Sequence, residues 1–263
     1  MPEETPSSKS KTSTPRRKQR GKSAASSAIV EVGDFILVDL IGYTQEDNQL
    51  FDTTREDIAR QEDVYSDEEV YQPRLVIVGQ AWVPLGVDEA LVGMKVGETK
   101  QLILPPEKAF GLRDPKRVQI LPKAKIKSEH KIVPGMRVRL GSQSGIIRRV
   151  GGGRVTVDFN HVLAGRAVRY EITLIQKYTK AVERVQALVH RRFLGVNPEN
   201  IGVTVRASNV TITLTADLHL LLNKSLQIQK LGVTHDIDTY MKDKYSKVLF
   251  IEEWPVGLPK SET

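Results

Sequence analysis

The sequence predicts an α+β fold in three folded parts: a strand-rich unit with one short helix, a small all-β barrel or meander, and a C-terminal α/β module. Three observations predict it. Between residues 35 and 104, short apolar runs of period two are punctuated by Gly and Pro, with one short stretch of helical period among them. Residues 112–159 alternate apolar and polar in short runs joined by Gly-rich turns. After about residue 178 the apolar period becomes helical and later returns to strand.

Taken in order, Phe35-Ile-Leu-Val-Asp-Leu-Ile41 reads as a strand, with a turn beginning at Gly42. Asn48-Gln-Leu-Phe51 leads into Asp52, Thr53 and Thr54, a capping type of sequence before the polar stretch 55–61. Leu75-Val-Ile-Val78 is a short buried strand closed by Gly79, and residues 86–93 form a short helix with Val87 and Leu91 on one face. Residues 99–104 alternate as a strand and stop at Pro105 and Pro106. Residues 132–140, 145–150 and 154–158 are the strands of the second part, and 167–176 is one more. Val182, Val185, Val189 and Phe193 line a helix face, and 202–205 with 210–214 form a hairpin. Asp217 caps a helix that Gly232 ends; a short helix at 237–244 and a strand at 247–251 complete the chain.

Composition narrows the function. The 263 residues include no Cys, which removes disulfides, thiol catalysis and cysteine-held metal centres and fits a cytoplasmic chain. No apolar run approaches the ~18 residues of a membrane span, and the first residues lack the apolar core of a signal peptide, so no membrane role is expected. The net charge of +7 is unevenly spread. Residues 1–28 carry seven Lys/Arg against Glu3 and Glu4, with almost nothing to bury, and read as a disordered basic tail. Residues 44–69 carry ten acids against Arg55 and Arg60, whereas 112–158 carry twelve Lys/Arg against three acids. The five His are scattered, and no Ser/His/Asp arrangement or metal-ligand cluster is present, so neither a metal nor a cofactor is expected.

Four segments in order carry a family resemblance. They are Gly42 with Leu50-Phe51-Asp52-Thr53-Thr54; Gly79 with Val83-Pro84-Leu85-Gly86 and Ala90-Leu-Val-Gly-Met-Lys-Val-Gly-Glu98; Pro105-Pro-Glu-Lys-Ala-Phe-Gly111; and Asn160-His-Val-Leu-Ala-Gly165. Together they resemble the FKBP-type peptidyl-prolyl isomerases, in the SlyD-like branch whose flap is interrupted by an insert-in-flap domain. The C-terminal part suggests the long archaeal form. The resemblance implies an antiparallel sheet wrapped on a short helix, with the FKBP domain at 29–111 and 160–178, the insert at 112–159, the C-terminal module at 179–257 and a flexible end at 258–263. It also implies cis/trans isomerisation of Xaa-Pro bonds and a chaperone surface on the insert.

By position, the resemblance makes Phe51 a pocket wall, Asp52 its polar anchor, and Val83 with Pro84 the segment entering the helix, where the Val83 N–H is available to a substrate carbonyl. Val87 becomes the floor, Phe110 and Leu163 the lid side, and Tyr170 the wall on the last strand; ordinary core is the bland alternative for Phe51, Val83, Val87 and Tyr170, and an N-cap for Asp52. Four positions depart from the family: Leu40 stands where Tyr is usual, Val87 where Trp often stands, Phe110 where Tyr is usual, and Pro84 where Ile is usual. Two lost hydroxyls and a lost N–H leave fewer polar anchors around intact apolar walls. The expected partners are unfolded or nascent polypeptides, held also by Ile120, Leu121 and Met136 of the insert. Two other functions stay open: a non-catalytic holdase, and RNA or ribosome binding through the basic tail and a barrel that resembles KOW-type modules. The C-terminal module offers no chemistry, and homodimerisation or docking to a partner is its default role.

Overall fold

The computed structural model describes residues 29–126, 131–215, 225–242 and 244–253. The basic tail, the flexible end and the Asp217 cap lie outside the described residues.

The first sheet has five antiparallel strands. β1 (Phe35–Thr44) and β9 (Val168–Tyr178) pair along their whole length, with β2 (Leu50–Thr53) and β3 (Arg74–Ile77) sharing the other edge of β1, and β4 (Thr99–Leu104) on the far side of β9. A six-residue helix, α1 (Glu56–Gln61), follows β2. α2 (Leu85–Leu91) lies against the sheet with Val87 and Leu91 buried among Ile36, Val38, Leu40, Val76 and Tyr170. The opposite face of the sheet is covered too: Phe35, Leu75 and Ile77 share a core with Val185, Leu188, Val189 and Phe193 of the C-terminal module. Cover on both faces explains why the beginning of β1 reads as a continuous apolar run.

Between β4 and β9 the chain makes a second, four-stranded antiparallel sheet in the order β5 (Val118–Pro122), β8 (Arg154–Asp158), β7 (Gln143–Gly151), β6 (Arg137–Leu140). Among the described residues β5 and β6 do not pair, so this sheet is open and not a closed barrel. Alternation fixes strands but not closure, and four strands this short wrap too little for their edges to meet.

The C-terminal module holds α3 (Ala181–Arg192), the hairpin β10 (Ile201–Arg206) and β11 (Asn209–Thr215), α4 (Leu226–Tyr240) and β12 (Lys247–Glu253), with β12 parallel to β11. Gly232 does not end a helix here. It lies inside α4, where a Cβ would stand 3.1 Å from the Arg192 guanidinium, so its job is the close approach of α3. Arg192 then reaches Asp236 with two hydrogen bonds of 2.6 and 2.7 Å.

Candidate active site

Register builds the aromatic cleft. Gly42 on β1 stands opposite Asp52 on β2 and Tyr170 on β9. A Cβ at Gly42 would lie 2.8 Å from the Phe51 ring and 3.0 Å from the Tyr170 ring, so only Gly lets both rings close over the strand. Phe51 meets Tyr170 and Phe110 edge to face, each with ring centroids 5.6 Å apart. Such pairs contribute about 0.5–1.5 kcal/mol beyond the area they bury, which holds the three rings in register. Leu40, Val83, Val87 and Tyr170 are buried in the same cluster, whereas Phe51 and Phe110 are half-buried at its mouth.

Two polar groups reach this cluster. Asp52 takes both guanidinium nitrogens of Arg74, at 2.8 and 3.0 Å. That bidentate pair gives the carboxylate a fixed direction, and hydrogen bonding to Asp52 raises the pKa of Arg74. Asp52 is not an N-cap: Arg55 precedes α1, and Thr53 Oγ1 accepts from the Arg55 N–H at 3.1 Å. Tyr170 brings the second group. Its hydroxyl has no hydrogen-bond partner among the described residues, and burial, with the neighbouring Asp52 charge, pushes its pKa well up.

The segment that enters α2 is braced from both sides. Pro84 starts the helix, its carbonyl accepting from the Val87 and Asp88 N–H groups at 2.9 and 3.0 Å. Asp88 is buried and accepts the Gly79 N–H at 2.9 and 3.0 Å, tying α2 to the end of β3. The Val83 N–H donates to no acceptor among the described residues. Beside it, Trp82 donates its indole N–H to the Tyr240 hydroxyl at 2.9 Å and stacks under the Arg191 guanidinium at 4.0 Å. The C-terminal module thus grips the residue next to Val83.

The Asn160-His161 segment works from the other rim. Asn160 exchanges two 2.9 Å hydrogen bonds with the backbone of Asp114 and gives a third, of 2.8 Å, to Asp158. Asp158 is buried and also receives Arg113 at 2.7 Å. These bonds clamp the two crossings into the insert. Desolvation opposes ionisation of Asp158, but its bonds from Asn160 and the charge of Arg113 outweigh it and lower its pKa. His161 stacks flat on Phe110, with centroids 4.6 Å apart and planes within 6°.

The structure therefore brings Leu40, Phe51, Asp52, Val83, Pro84, Val87, Phe110 and Tyr170 to one place. It does not bring the rest. Leu163 is buried outside that cluster, and the ring over Phe110 belongs to His161. Ile120, Leu121 and Met136 lie in the insert; Ile120 is 66% exposed, and the other two pack partly against the insert's own core. Arg74, Trp82 and His161 were not singled out by sequence. Only His161 had a signal, its place in the Asn-His motif.

Aromatic side chains half-exposed at the mouth of a buried cluster, with a few directed polar groups beside them, make this the candidate site. Comparison with known proteins shows the family. The family model for FKBP-type peptidyl-prolyl cis-trans isomerase matches residues 27–129, that for the FKBP26 IF domain residues 121–163, and that for the FKBP26 C-terminal domain residues 181–255. The short-type peptidyl-prolyl cis-trans isomerase of Methanocaldococcus jannaschii is 35% identical over 145 residues, 55% of this chain and 91% of that protein. The FKBP-type 16 kDa peptidyl-prolyl cis-trans isomerase of Escherichia coli is 32% identical over 110 residues, 40% of this chain and 74% of that one. SlyD of Haemophilus influenzae is 26% identical over 118 residues, 43% and 62% of the two chains. The chain belongs to the FKBP-type peptidyl-prolyl cis-trans isomerases.

Proposed function

We propose that the cleft between Phe51, Phe110 and Tyr170 holds the substrate's proline ring, and that catalysis there comes from an apolar environment and a few hydrogen bonds, with no covalent chemistry. The reaction class sets the requirement. Rotation about a peptide bond faces ~18–20 kcal/mol because the amide must lose resonance. Even before proline it takes tens to hundreds of seconds. The twisted amide is less polar than the planar one, so a dry aromatic wall favours it, at about tenfold in rate for each ~1.4 kcal/mol of preference. No bond is made or broken, and no nucleophile or metal is called for.

The polar anchors then act on the substrate backbone. The Val83 N–H receives a carbonyl, and the Tyr170 hydroxyl supplies the donor that Leu40 and Phe110 lack. The Arg74-oriented Asp52 carboxylate keeps lone pairs for a substrate N–H. The observation that carries this reading is the contact of Phe51 with both other rings around a mouth that stays half-exposed. Its test is a protease-coupled assay on a short Xaa-Pro peptide. Phe51→Ala lowers kcat/KM at least tenfold while leaving the fold intact, because that ring is only half-buried. Equal activity in the two proteins would refute the reading.

The insert extends the function to unfolded chains. Its edge strand β5 carries the exposed Ile120, an arrangement suited to capturing an extended segment by strand addition. Ile120→Ser should weaken suppression of aggregation and leave turnover of a short peptide unchanged. Retention of RNA that falls steeply with salt would instead favour the basic surface of the insert. Self-association through the C-terminal module is supported by Ile228 and Leu231, which stand 69% and 72% exposed on one face of α4. Light scattering on the full chain and on an Ile228→Asp/Leu231→Asp variant separates dimer from monomer.

A further inference from the structure

A cavity of about 660 Å³ lies away from the aromatic cleft. It opens between the first sheet and the C-terminal module, with Leu37, Thr53 and Arg74 on one wall and Arg192, Phe193 and Gln229 on the other. Its size is that of a ligand site, and a junction between packed units is where such sites occur.

Two features say what would enter it. The first is charge. Three arginines and one histidine line the cavity, and among the described residues no carboxylate does. Asp52 answers Arg74, but Arg191 and Arg192 share the single carboxylate of Asp236, at 3.2 Å and 2.6 Å. Among the described residues one guanidinium charge is left over. His190 adds none at neutral pH, because burial lowers its pKa. The neighbouring acids Glu68 and Glu69 are exposed and do not line the space. The second feature is continuity. Arg74 belongs both to the cavity wall and to the Asp52 pair at the proline cleft, and Thr53 on the wall is two residues from Phe51.

We infer that the cavity is a second subsite for the client chain: a segment whose proline occupies the aromatic cleft runs past the Asp52–Arg74 pair and sets an acidic side chain against Arg191 and Arg192. This rests on the reading of the cleft as the proline site. Guanidinium forks match carboxylates geometrically, so the subsite discriminates Glu or Asp from Lys and not merely polar from apolar. Apolar neighbours of that acid pack on Leu37 and Phe193. Specificity of the isomerase then extends beyond the residues flanking the scissionless bond.

The test uses the full chain and a coupling-free NMR exchange assay. One substrate is an Xaa-Pro tetrapeptide, too short to reach the cavity. The others are longer peptides with one proline and either a Glu or a Lys, moved stepwise along each side. We expect one flank on which Glu exceeds Lys in kcat/KM by about tenfold, the ratio worth ~1.4 kcal/mol. Filling the cavity, with Gln229→Trp or independently with Val196→Trp, should abolish that ratio and leave tetrapeptide turnover unchanged. Equal rates for Glu and Lys peptides on both flanks, or a ratio that survives both fillings, overturns the subsite. Absence of tetrapeptide turnover in the wild type overturns the proline reading itself, and the subsite with it.

Discussion

Tyr170 shows how one side chain changes the account of a site. With Leu40 and Phe110 in place of tyrosines, sequence leaves the cleft short of donors, yet Tyr170 is 1% exposed and its hydroxyl has no partner among the described residues. Among the described residues the one buried side-chain polar atom without a partner is Thr215 Oγ1, so the Tyr170 hydroxyl, although its ring is buried, is left open to a substrate carbonyl. Tyr170→Phe keeps the ring and removes the donor, so kcat/KM for a short Xaa-Pro peptide should fall roughly three- to tenfold, matching ~0.5–1.5 kcal/mol, with the melting temperature unchanged or raised. The pH dependence has a definite sign. Because the folded protein holds the Tyr170 proton more tightly than the unfolded chain, its contribution to stability is complete below the ordinary tyrosine pKa of 10 and is lost as pH rises beyond it. Chemical denaturation in alkaline buffer should show a steeper loss in the wild type than in Tyr170→Phe, the remainder coming from Tyr178 and Tyr245, which burial also shifts upward.

Gly42 belongs to the same scale. Gly42→Ala places a methyl group closer to the Phe51 ring than van der Waals contact allows. Displacing that ring costs about 1–3 kcal/mol, as overpacking does elsewhere, and disturbs the cleft at once. Calorimetry and the peptide assay should move together for this variant, whereas they separate for Tyr170→Phe.

Elements show where sequence was legible and where it was not. β4 and β8 have the bounds that alternation indicates, and β1 and α3 differ by a few residues at their ends, because period and Pro/Gly punctuation are local properties. The cleft residues were legible through motifs. Arg74 was not: its partner Asp52 lies 22 residues earlier, across an acidic stretch that offers many alternatives. Trp82 and Tyr240 are 158 positions apart, and nothing in either segment points to the other. Gly232 departs from the expected helix end for a reason of the same kind. A local rule takes Gly as a helix stop, while its use here is set by an arginine on another helix. Sheet closure in the insert is likewise a property of the whole sheet.

The hold of Tyr240 on Trp82 makes a prediction about the α2 entrance. Tyr240→Phe removes the 2.9 Å hydrogen bond but keeps the ring contact. The fluorescence of Trp82, read in a Trp254→Phe background, should shift to the red, and kcat should fall while KM changes little, since the adjoining Val83 N–H loses its fixed direction. At the opposite rim, Asp158→Ala frees Arg113 and Asn160, and hydrogen exchange should rise at the two crossings into the insert. The lowered Asp158 pKa fixes the acid limb: its stabilising contribution is present above the ordinary carboxylate pKa near 4 and disappears as pH falls through and below it.

At the scale of the whole molecule, three sheets serve one cleft. The first sheet supplies the walls, the insert interrupts the chain between Phe110 and Tyr170, and the C-terminal module covers the back of the sheet and grips the α2 entrance. The shared core of Phe35, Leu75, Ile77, Leu188 and Phe193 makes the module part of the enzyme's stability and not an appendage. A chain ending at Tyr178 would expose that apolar face, and it should melt lower and aggregate sooner than the full chain.

The central claim is that the proline ring of a client sits among Phe51, Phe110 and Tyr170. A crystal structure of the full chain with an Xaa-Pro peptide measures this most directly. The account predicts the pyrrolidine ring within about 4 Å of all three aromatic rings, with a peptide carbonyl on the Val83 N–H. A peptide held only along β5 of the insert, with the cleft closed by the protein's own side chains, would contradict it.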